Sequence, residues 1–147
     1  MKIKKYLKES PIFALNSAYE SIIPKLNKQL KAEQLNLLQG LVLTALFFEE
    51  KAEVNPSQLA EIFQTSRGNM SHILSALEYQ GYIKRHVHRQ DARHFNIELK
   101  TEGRKKALSL IKFFDRLQDL FEKSIGVSSC QKATETIHLM ASVSKDL

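Results

Sequence analysis

The densest set of side chains able to do chemistry lies between Lys84 and Leu99, in the stretch KRHVHRQDARHFNIEL. Some of its residues are of the types that bind transition metals, namely His86, His88, Asp91 and His94. Others are cations that bind phosphate, namely Lys84, Arg85, Arg89 and Arg93. These cations would repel a metal ion, and no cysteine lies near. The stretch therefore favours phosphate over metal, and we predict no metal site.

The rest of the chain lacks the arrangements that catalysis needs. We find no nucleophile next to a base, no glycine-rich phosphate loop and no paired carboxylates. Glu49 and Glu50 are adjacent, so their side chains would diverge on a helix. The sequence therefore predicts neither an enzyme nor a cofactor.

Charge is concentrated around the same stretch. The chain has 147 residues, a formal net charge of +6 and a sequence pI of about 9.4. Residues 65–106 contain nine Lys or Arg against four Asp or Glu, so +5 of the +6 lies there. A basic surface attracts polyanions, either nucleic acid or an anionic membrane.

Two features of the sequence concern its compartment. Cys130 is the single cysteine, which cannot form an internal disulfide and fits a reducing cytoplasm. The N-terminal segment MKIKKYLKES has no apolar run behind it, and the longest apolar run, LVLTALFF, is far shorter than a membrane span. We therefore predict a cytoplasmic protein with no membrane partner.

Two short helices are predicted immediately before the basic stretch. Asn55-Pro56 begins a helix that runs to Phe63, and Gln64-Thr65 forms a turn. Ser66 then caps a helix that runs to Gln80 and stops at Gly81. Two short helices with so brief a turn predict a helix-turn-helix.

The basic stretch itself is predicted to be a β-hairpin. Residues 82–87 precede a polar tip, and Phe95, Ile97 and Leu99 then alternate with polar residues, which gives the hairpin one buried face. Helix-turn-helix followed by hairpin is a winged helix-turn-helix. The predicted fold class is therefore mainly α with a small two-stranded β-hairpin.

Helices are also predicted on both sides of the winged segment. Ser10 supplies a capping hydroxyl before Pro11, and apolar residues then recur at helical spacing to Leu30. We expect Pro24 to kink or break this helix. The other predicted flanking helices cover residues 35–51, 101–123 and 128–144.

The helix after the turn has one apolar side and one polar side. Its apolar side consists of Met70, Ile73, Leu74 and Leu77. The other side is small and polar near its N-terminus, as a helix entering the major groove requires. The residues predicted to contact DNA from this helix are Ser66, Arg67, Gly68, Asn69, Ser71 and His72. The alternative interpretation is an ordinary solvated helix face.

The hairpin and its neighbours are predicted to contact DNA as well. An arginine at the tip suits the minor groove, and Asp91 can fix the direction of Arg93. The predicted wing contacts are Arg85, His88, Arg89, Asp91 and Arg93, and the predicted phosphate contacts are Ser57, Lys84, Arg104 and Lys105. The alternative is a solvated loop with a surface ion pair worth less than ~1 kcal/mol.

These residues resemble the MarR family of transcription regulators. The matching motifs are Leu59-Ala60, the run from Leu77-Glu78 through Gly81-Tyr82-Ile83 to Arg85, the Asp91-Ala92-Arg93 triplet, and the alternation leading into Leu99-Lys100-Thr101-Glu102-Gly103. Lys100 stands where the family has a threonine, so the helix cap is expected to shift to Thr101. The histidines and the N-terminal cysteine of the family's zinc-sensing and peroxide-sensing branches have no counterparts here.

The resemblance implies a homodimer on a pseudo-palindromic operator. Residues 1–34 and 107–147 would form the helical dimerisation region, and residues 35–106 the winged DNA-binding domain. Cys130 would then be a small residue of the dimer core. The resemblance also implies a small-molecule effector, for which Tyr19, Phe47 and Phe48 are candidate pocket residues. The alternative for these three aromatics is a place in the dimer or domain core.

The sequence therefore predicts a sequence-specific double-stranded DNA-binding regulator, a ligand-responsive repressor that acts as a homodimer. The competing hypothesis is a protein-interaction module, in which the basic hairpin binds an acidic partner without specific recognition of DNA. Sequence alone leaves open the operator, the effector, repression versus activation, the target genes and the role of Cys130.

Overall fold

The structure is a computed structural model that describes residues 2–50, 54–87 and 95–144. Its elements, in chain order, are α1 (Lys2–Glu9), α2 (Pro11–Lys31), α3 (Leu37–Phe48), α4 (Pro56–Ile62), α5 (Arg67–Tyr79), β1 (Ile83–Val87), β2 (Phe95–Leu99), α6 (Thr101–Ile125) and α7 (Val127–Val143). The chain divides into two compact units, Met1–Ala107 and Leu108–Leu147. The predicted fold class, mainly helical with one two-stranded hairpin, is confirmed.

Local capping explains where three helices of the first unit begin. Asn36 and Gln39 exchange side-chain and backbone hydrogen bonds at the start of α3. Asn55 and Gln58 make the same reciprocal pair before α4. The Ser66 hydroxyl accepts from the backbone N–H of Asn69, 3.0 Å away, at the start of α5. Each cap satisfies backbone donors that the first turn leaves unpaired.

The two strands pair antiparallel, and their apolar residues complete the core of the first unit. Ile83 lies opposite Leu99, and Arg85 opposite Ile97. Ile83, Ile97 and Leu99 are buried with residues from α3, α4 and α5, whose largest fully buried side chains include Leu43, Leu59, Met70 and Leu74. The backbone N–H of Ile97 also donates to Val54, which anchors β2 ahead of α4.

Several predicted details are wrong. Helix α1 was not predicted, although Ile3, Tyr6 and Leu7 have helical spacing. Of the kink or break expected at Pro24, the break does not occur, since α2 continues through that residue. Proline removes one donor, to the carbonyl of Glu20, but both residues are exposed and water can replace that bond. Ser10 does lie at the N-cap of α2, but its side chain makes no capping hydrogen bond.

The start of α6 also differs from the prediction. The helix already includes Thr101, and the backbone N–H of Arg104 donates to the carbonyl of Lys100. Lys100 therefore occupies the position before the first turn, and Thr101 is not the cap.

The second unit contains the remainder of α6 together with α7. Gly126 joins the two helices at a φ of +89°, a conformation that glycine adopts without steric cost. Cys130 is partly exposed. Within the described ranges, no helix combines the length and the apolar character required to span a membrane.

Candidate nucleic-acid interface

The turn between α4 and α5 sets the direction of the second helix. Leu59 and Ala60 are buried, and the backbone N–H of Thr65 donates to the Ala60 carbonyl at 2.9 Å. Gln64 adopts a φ of +49° in this turn. The chain thus reverses within a few residues, which lets α5 pack across α4, as the helix-turn-helix prediction requires.

Helix α5 divides into the two faces that the sequence predicted. Met70, Ile73, Leu74 and Leu77 are all buried against the rest of the first unit. The residues predicted to contact DNA are all exposed, namely Ser66, Arg67, Gly68, Asn69, Ser71 and His72. One helix therefore presents a continuous polar surface with its N-terminal end open to a ligand.

The amide of Asn69 is held by the turn. Its Nδ2 donates to the hydroxyl of Thr65 at 2.7 Å, while its backbone N–H donates to Ser66. An amide has two N–H donors and one carbonyl acceptor, so this contact leaves one donor and the acceptor. That remaining pair suits the edge of an adenine in the major groove.

The wing is joined to α5 through Arg85. One oxygen of the Glu78 carboxylate accepts from the backbone N–H of Arg85 at 2.9 Å. The other oxygen accepts from Arg85 Nε at 2.8 Å and lies 2.7 Å from a terminal guanidinium nitrogen. The same nitrogen also lies 3.3 Å from the Ser75 hydroxyl. Arg85, predicted as a DNA contact, thus directs its guanidinium onto the recognition helix.

These contacts also affect the ionisation of Glu78. Hydrogen bonds from Arg85, first from its backbone N–H and then from its guanidinium, hold the pKa of the Glu78 carboxyl below its ordinary value. Bonds donated to a carboxylate stabilise its charged form. Glu78 is therefore ionised when it holds Arg85.

The basic run at the start of α6 lies beside acidic partners. Arg104 pairs with Glu50, and Lys106 pairs with Glu33. Lys105 lies 2.8 Å from Glu102 in an exposed pair. Lys84 is exposed on strand β1, where it lies opposite Glu98. Arg104 and Lys105 were predicted to contact phosphate, and their partners offset part of the charge available for that role.

A cavity of about 230 Å³ lies where α4, α5 and the wing meet. Its lining includes the predicted contacts Ser57, Ser71 and Arg85, together with Phe95. Ser57 and Ser71 are exposed, so their hydroxyls are available to a phosphate oxygen. The structure thus brings one predicted phosphate contact, one helix contact and one wing contact to a single recess.

A second cavity, of about 330 Å³, lies between the end of α3, the wing and the start of α6. Its lining includes His86, Glu98 and the paired residues Arg104 and Glu50. The Nε2 of His86 lies 2.5 Å from a carboxylate oxygen of Glu98. Of the residues weighed as metal ligands, the structure describes only His86.

The other wing-tip predictions fall outside the described residues. These are His88, Arg89, Asp91 and Arg93, together with His94. Their roles stay predictions.

The aromatic residues predicted to line an effector pocket are not gathered in the cavities described above. Tyr19 is 60% exposed on α2, and Phe48 is 69% exposed at the end of α3. Phe47 packs edge-on against Phe48, with 5.9 Å between ring centroids. Their role in binding an effector stays a prediction.

Glu78 is one of the residues whose contacts the sequence did not predict. In the sequence it is part of the motif that runs from Leu77 to Arg85, which by itself gives Glu78 no role. The available signal was an acid near the end of the recognition helix, seven residues before an arginine on the first wing strand. Glu78 and Arg85 meet because the chain reverses between them, at Gly81, which has a φ of +78°.

Residues 35–95 match the model of the MarR family. The HTH-type transcriptional regulator PrsX of Escherichia coli is 40% identical over 63 residues, which are 43% of this chain and 38% of that protein. The transcriptional repressor MprA of Escherichia coli strain K12 is 32% identical over 77 residues, 52% of this chain and 44% of that protein. The chain therefore spans less than half the length of either relative.

Solved structures give the same fold. The Staphylococcus aureus MepR–DNA complex matches with a TM-score of 0.83 at 21% identity, over 90% of this chain and 96% of that chain. A MarR transcriptional regulator from Methanosarcina mazei Go1 matches with a TM-score of 0.75 at 17% identity, over 90% and 94%. At such identities the likeness shows the winged-helix fold.

Proposed function

We propose that this chain is a regulator of the MarR type, namely a sequence-specific double-stranded DNA-binding transcription regulator, since residues 35–95 match the model of that family. The observation that supports the proposal best is the two-faced helix α5. Its apolar side is buried, while the residues around Arg67, Gly68 and His72 form an exposed polar surface. A major groove accepts a helix of this kind.

In the proposed complex, α5 contacts base edges and the wing contacts the flanking backbone. Asn69 and Arg67 supply base contacts, and Gly68 lets the helix backbone approach the DNA closely. Ser57 and Lys84 contact phosphates, and Arg93 enters the adjacent minor groove with Asp91 directing it. This activity is binding rather than catalysis, and we place it in the cytoplasm.

We further propose that two copies of the chain act together on a pseudo-palindrome as a repressor. PrsX and MprA are named as a transcriptional regulator and a transcriptional repressor, and the MepR structure contains DNA. A two-fold symmetric dimer engages half-sites about 10 bp apart. A small-molecule effector that releases the dimer from DNA is part of the same proposal.

The deciding experiment is selection from a random duplex library at ~0.15 M salt, where non-specific binding is suppressed but specific binding persists. We expect a two-fold symmetric motif with half-sites ~10 bp apart, the spacing of one helical turn. Recovery of unselective, salt-sensitive binding alone would contradict the proposal. It would favour instead an interaction module whose basic hairpin binds an acidic protein.

A further inference from the structure

The contact between helix α5 and strand β1 concentrates on one carboxylate. Glu78 accepts hydrogen bonds from the backbone N–H and the Nε of Arg85, and one of its oxygens lies 2.7 Å from a terminal guanidinium nitrogen of the same residue. The side chains of Arg85 and Glu78 are 30% and 34% exposed, so the pair is partly shielded from water. Shielding and multiple charge-assisted hydrogen bonds distinguish this pair from the exposed pair of Lys105 with Glu102.

We infer that Glu78 is a positioning residue that holds the wing against the recognition helix through Arg85, so that both enter DNA in one fixed arrangement. This inference rests on the proposed function. The backbone contact is the decisive part, because it fixes the strand itself and not only a side chain. The contact of the guanidinium with Ser75 extends the same attachment by one turn along the exposed side of α5.

If Glu78 positions the wing, removing its carboxylate should change operator affinity in the direction opposite to the one that its charge alone predicts. A carboxylate on a DNA-binding surface repels phosphate, so charge alone predicts that Glu78→Ala strengthens DNA binding. Positioning predicts that the same change weakens binding to the operator. It also assigns Arg85 an indirect role, because its donors are directed at Glu78 and Ser75.

The experiment measures affinity for the selected operator and for a random duplex, using the full-length chain and three variants: Glu78→Ala, Arg85→Ala and the double variant. We expect each single variant to bind the operator about tenfold more weakly, and the double variant to be no weaker than either single one. For the random duplex, we expect Glu78→Ala to bind at least as tightly as the wild type. A loss of folded protein would lower the affinity for the operator and for the random duplex by the same factor. The ratio of the two affinities therefore reports the effect of positioning alone.

The matched control is Glu61→Ala, which removes an exposed carboxylate from α4 in the same helix-turn-helix. This variant should bind the operator as tightly as the wild type or more tightly. The inference is wrong if Glu78→Ala changes operator affinity in the same way as Glu61→Ala. It is also wrong if Arg85→Ala lowers the affinity, Glu78→Ala raises it and the two changes add in the double variant, since Arg85 would then contact DNA directly.

A measurement without DNA separates this inference from the proposed function. Hydrogen exchange of the Arg85 backbone amide should be faster in Glu78→Ala than in Glu61→Ala, because Glu78 accepts from that amide. Equal exchange would overturn the inference. Failure of the wild type to select any operator would instead overturn the proposed function, whatever the exchange rates show.

Discussion

At the scale of single residues, Gly103 is the point where the first turn of α6 lies closest to the chain leading into the wing. A Cβ at this position would lie 2.0 Å from the backbone carbonyl oxygen of Tyr82. That oxygen also accepts from the backbone N–H of Lys100, at 2.9 Å, so it is not free to move away. The glycine in the motif that ends the winged segment therefore serves close packing.

We expect Gly103→Ala to lower the free energy of unfolding by about 1–3 kcal/mol or more, as overpacking of a dense core does. Urea denaturation measures this. The control is Gly68→Ala, because a Cβ there would have only the Ser66 hydroxyl within reach, at 4.0 Å. Equal stability of the two variants would show that α6 can shift to accommodate the methyl group.

Glu78 gives a prediction for acid pH at the same scale. Its pKa in the folded protein is lowered by Arg85, so it contributes stability above the pKa of an unfolded glutamate. That contribution is lost as pH falls through the folded pKa. Protonated Glu78 resembles glutamine in charge and shape. The stability gap between wild type and Glu78→Gln should therefore narrow as pH falls below about 4.3. Thermal melts across pH measure the gap, and a constant gap would contradict the expectation.

At the scale of elements, one residue of α5 allows an effect on stability to be separated from an effect on DNA binding. Gly68 lies in the first turn with open space around it, and glycine is a poor helix former. We expect Gly68→Ala to raise stability by up to about 1 kcal/mol. If the helix backbone approaches DNA here, the added methyl group should at the same time weaken operator binding several-fold. Melting and duplex titration of the same sample measure both, and unchanged affinity would remove Gly68 from the interface.

The elements themselves were largely predictable, because their signals are local. Asn55-Pro56, Ser66 and Gly81 mark helix boundaries within a few residues, and the alternation of Phe95, Ile97 and Leu99 marks β2. Pro24 does not break α2, because the one hydrogen bond that proline removes can be replaced by water where the helix is exposed. Only the exposure of the site decides whether this replacement is possible.

The partners of the candidate site were not predictable in the same way. Arg104 is bonded to Glu50, 54 residues earlier in the chain, and Lys106 to Glu33, 73 residues earlier. Such pairs depend on how the elements pack, which local patterns do not contain. Counting the cations of residues 65–106 therefore overstated the charge that is free to meet phosphate, although the count located the basic surface.

At the scale of the whole molecule, the number of cations that contact phosphate sets how steeply binding falls with salt, and the formal net charge of +6 favours such contacts. Each phosphate contact by a cation releases about one counterion, so log affinity falls linearly with log salt concentration. Lys84 is on an exposed part of β1. Lys84→Ala should weaken binding to all duplexes alike and reduce the slope by about 1. The control Lys132→Ala removes an exposed cation on α7 and should leave the slope unchanged. An unchanged slope for Lys84→Ala would show that this lysine contacts no phosphate.

Large apolar side chains on the flanking helices need a partner surface, and the proposed dimer supplies it. Ile12 and Tyr19 are exposed on α2, as are Leu139 and Val143 on α7. On each of these helices the exposed apolar residues recur at helical spacing, and an exposed apolar face of this kind is typical of protein interfaces. We expect Leu139→Glu to convert the dimer to a monomer, since it would bury a charge, and the winged segment to stay folded.

Sedimentation equilibrium measures the mass, and operator affinity should fall by about a hundredfold once the second half-site no longer binds intramolecularly. The matched control is Ile62→Glu on α4, because Ile62 is 63% exposed and Leu139 is 67% exposed. This control should remain dimeric. A dimeric Leu139→Glu variant would place the interface elsewhere. A monomer that binds the operator as tightly as the wild type would show that one copy suffices.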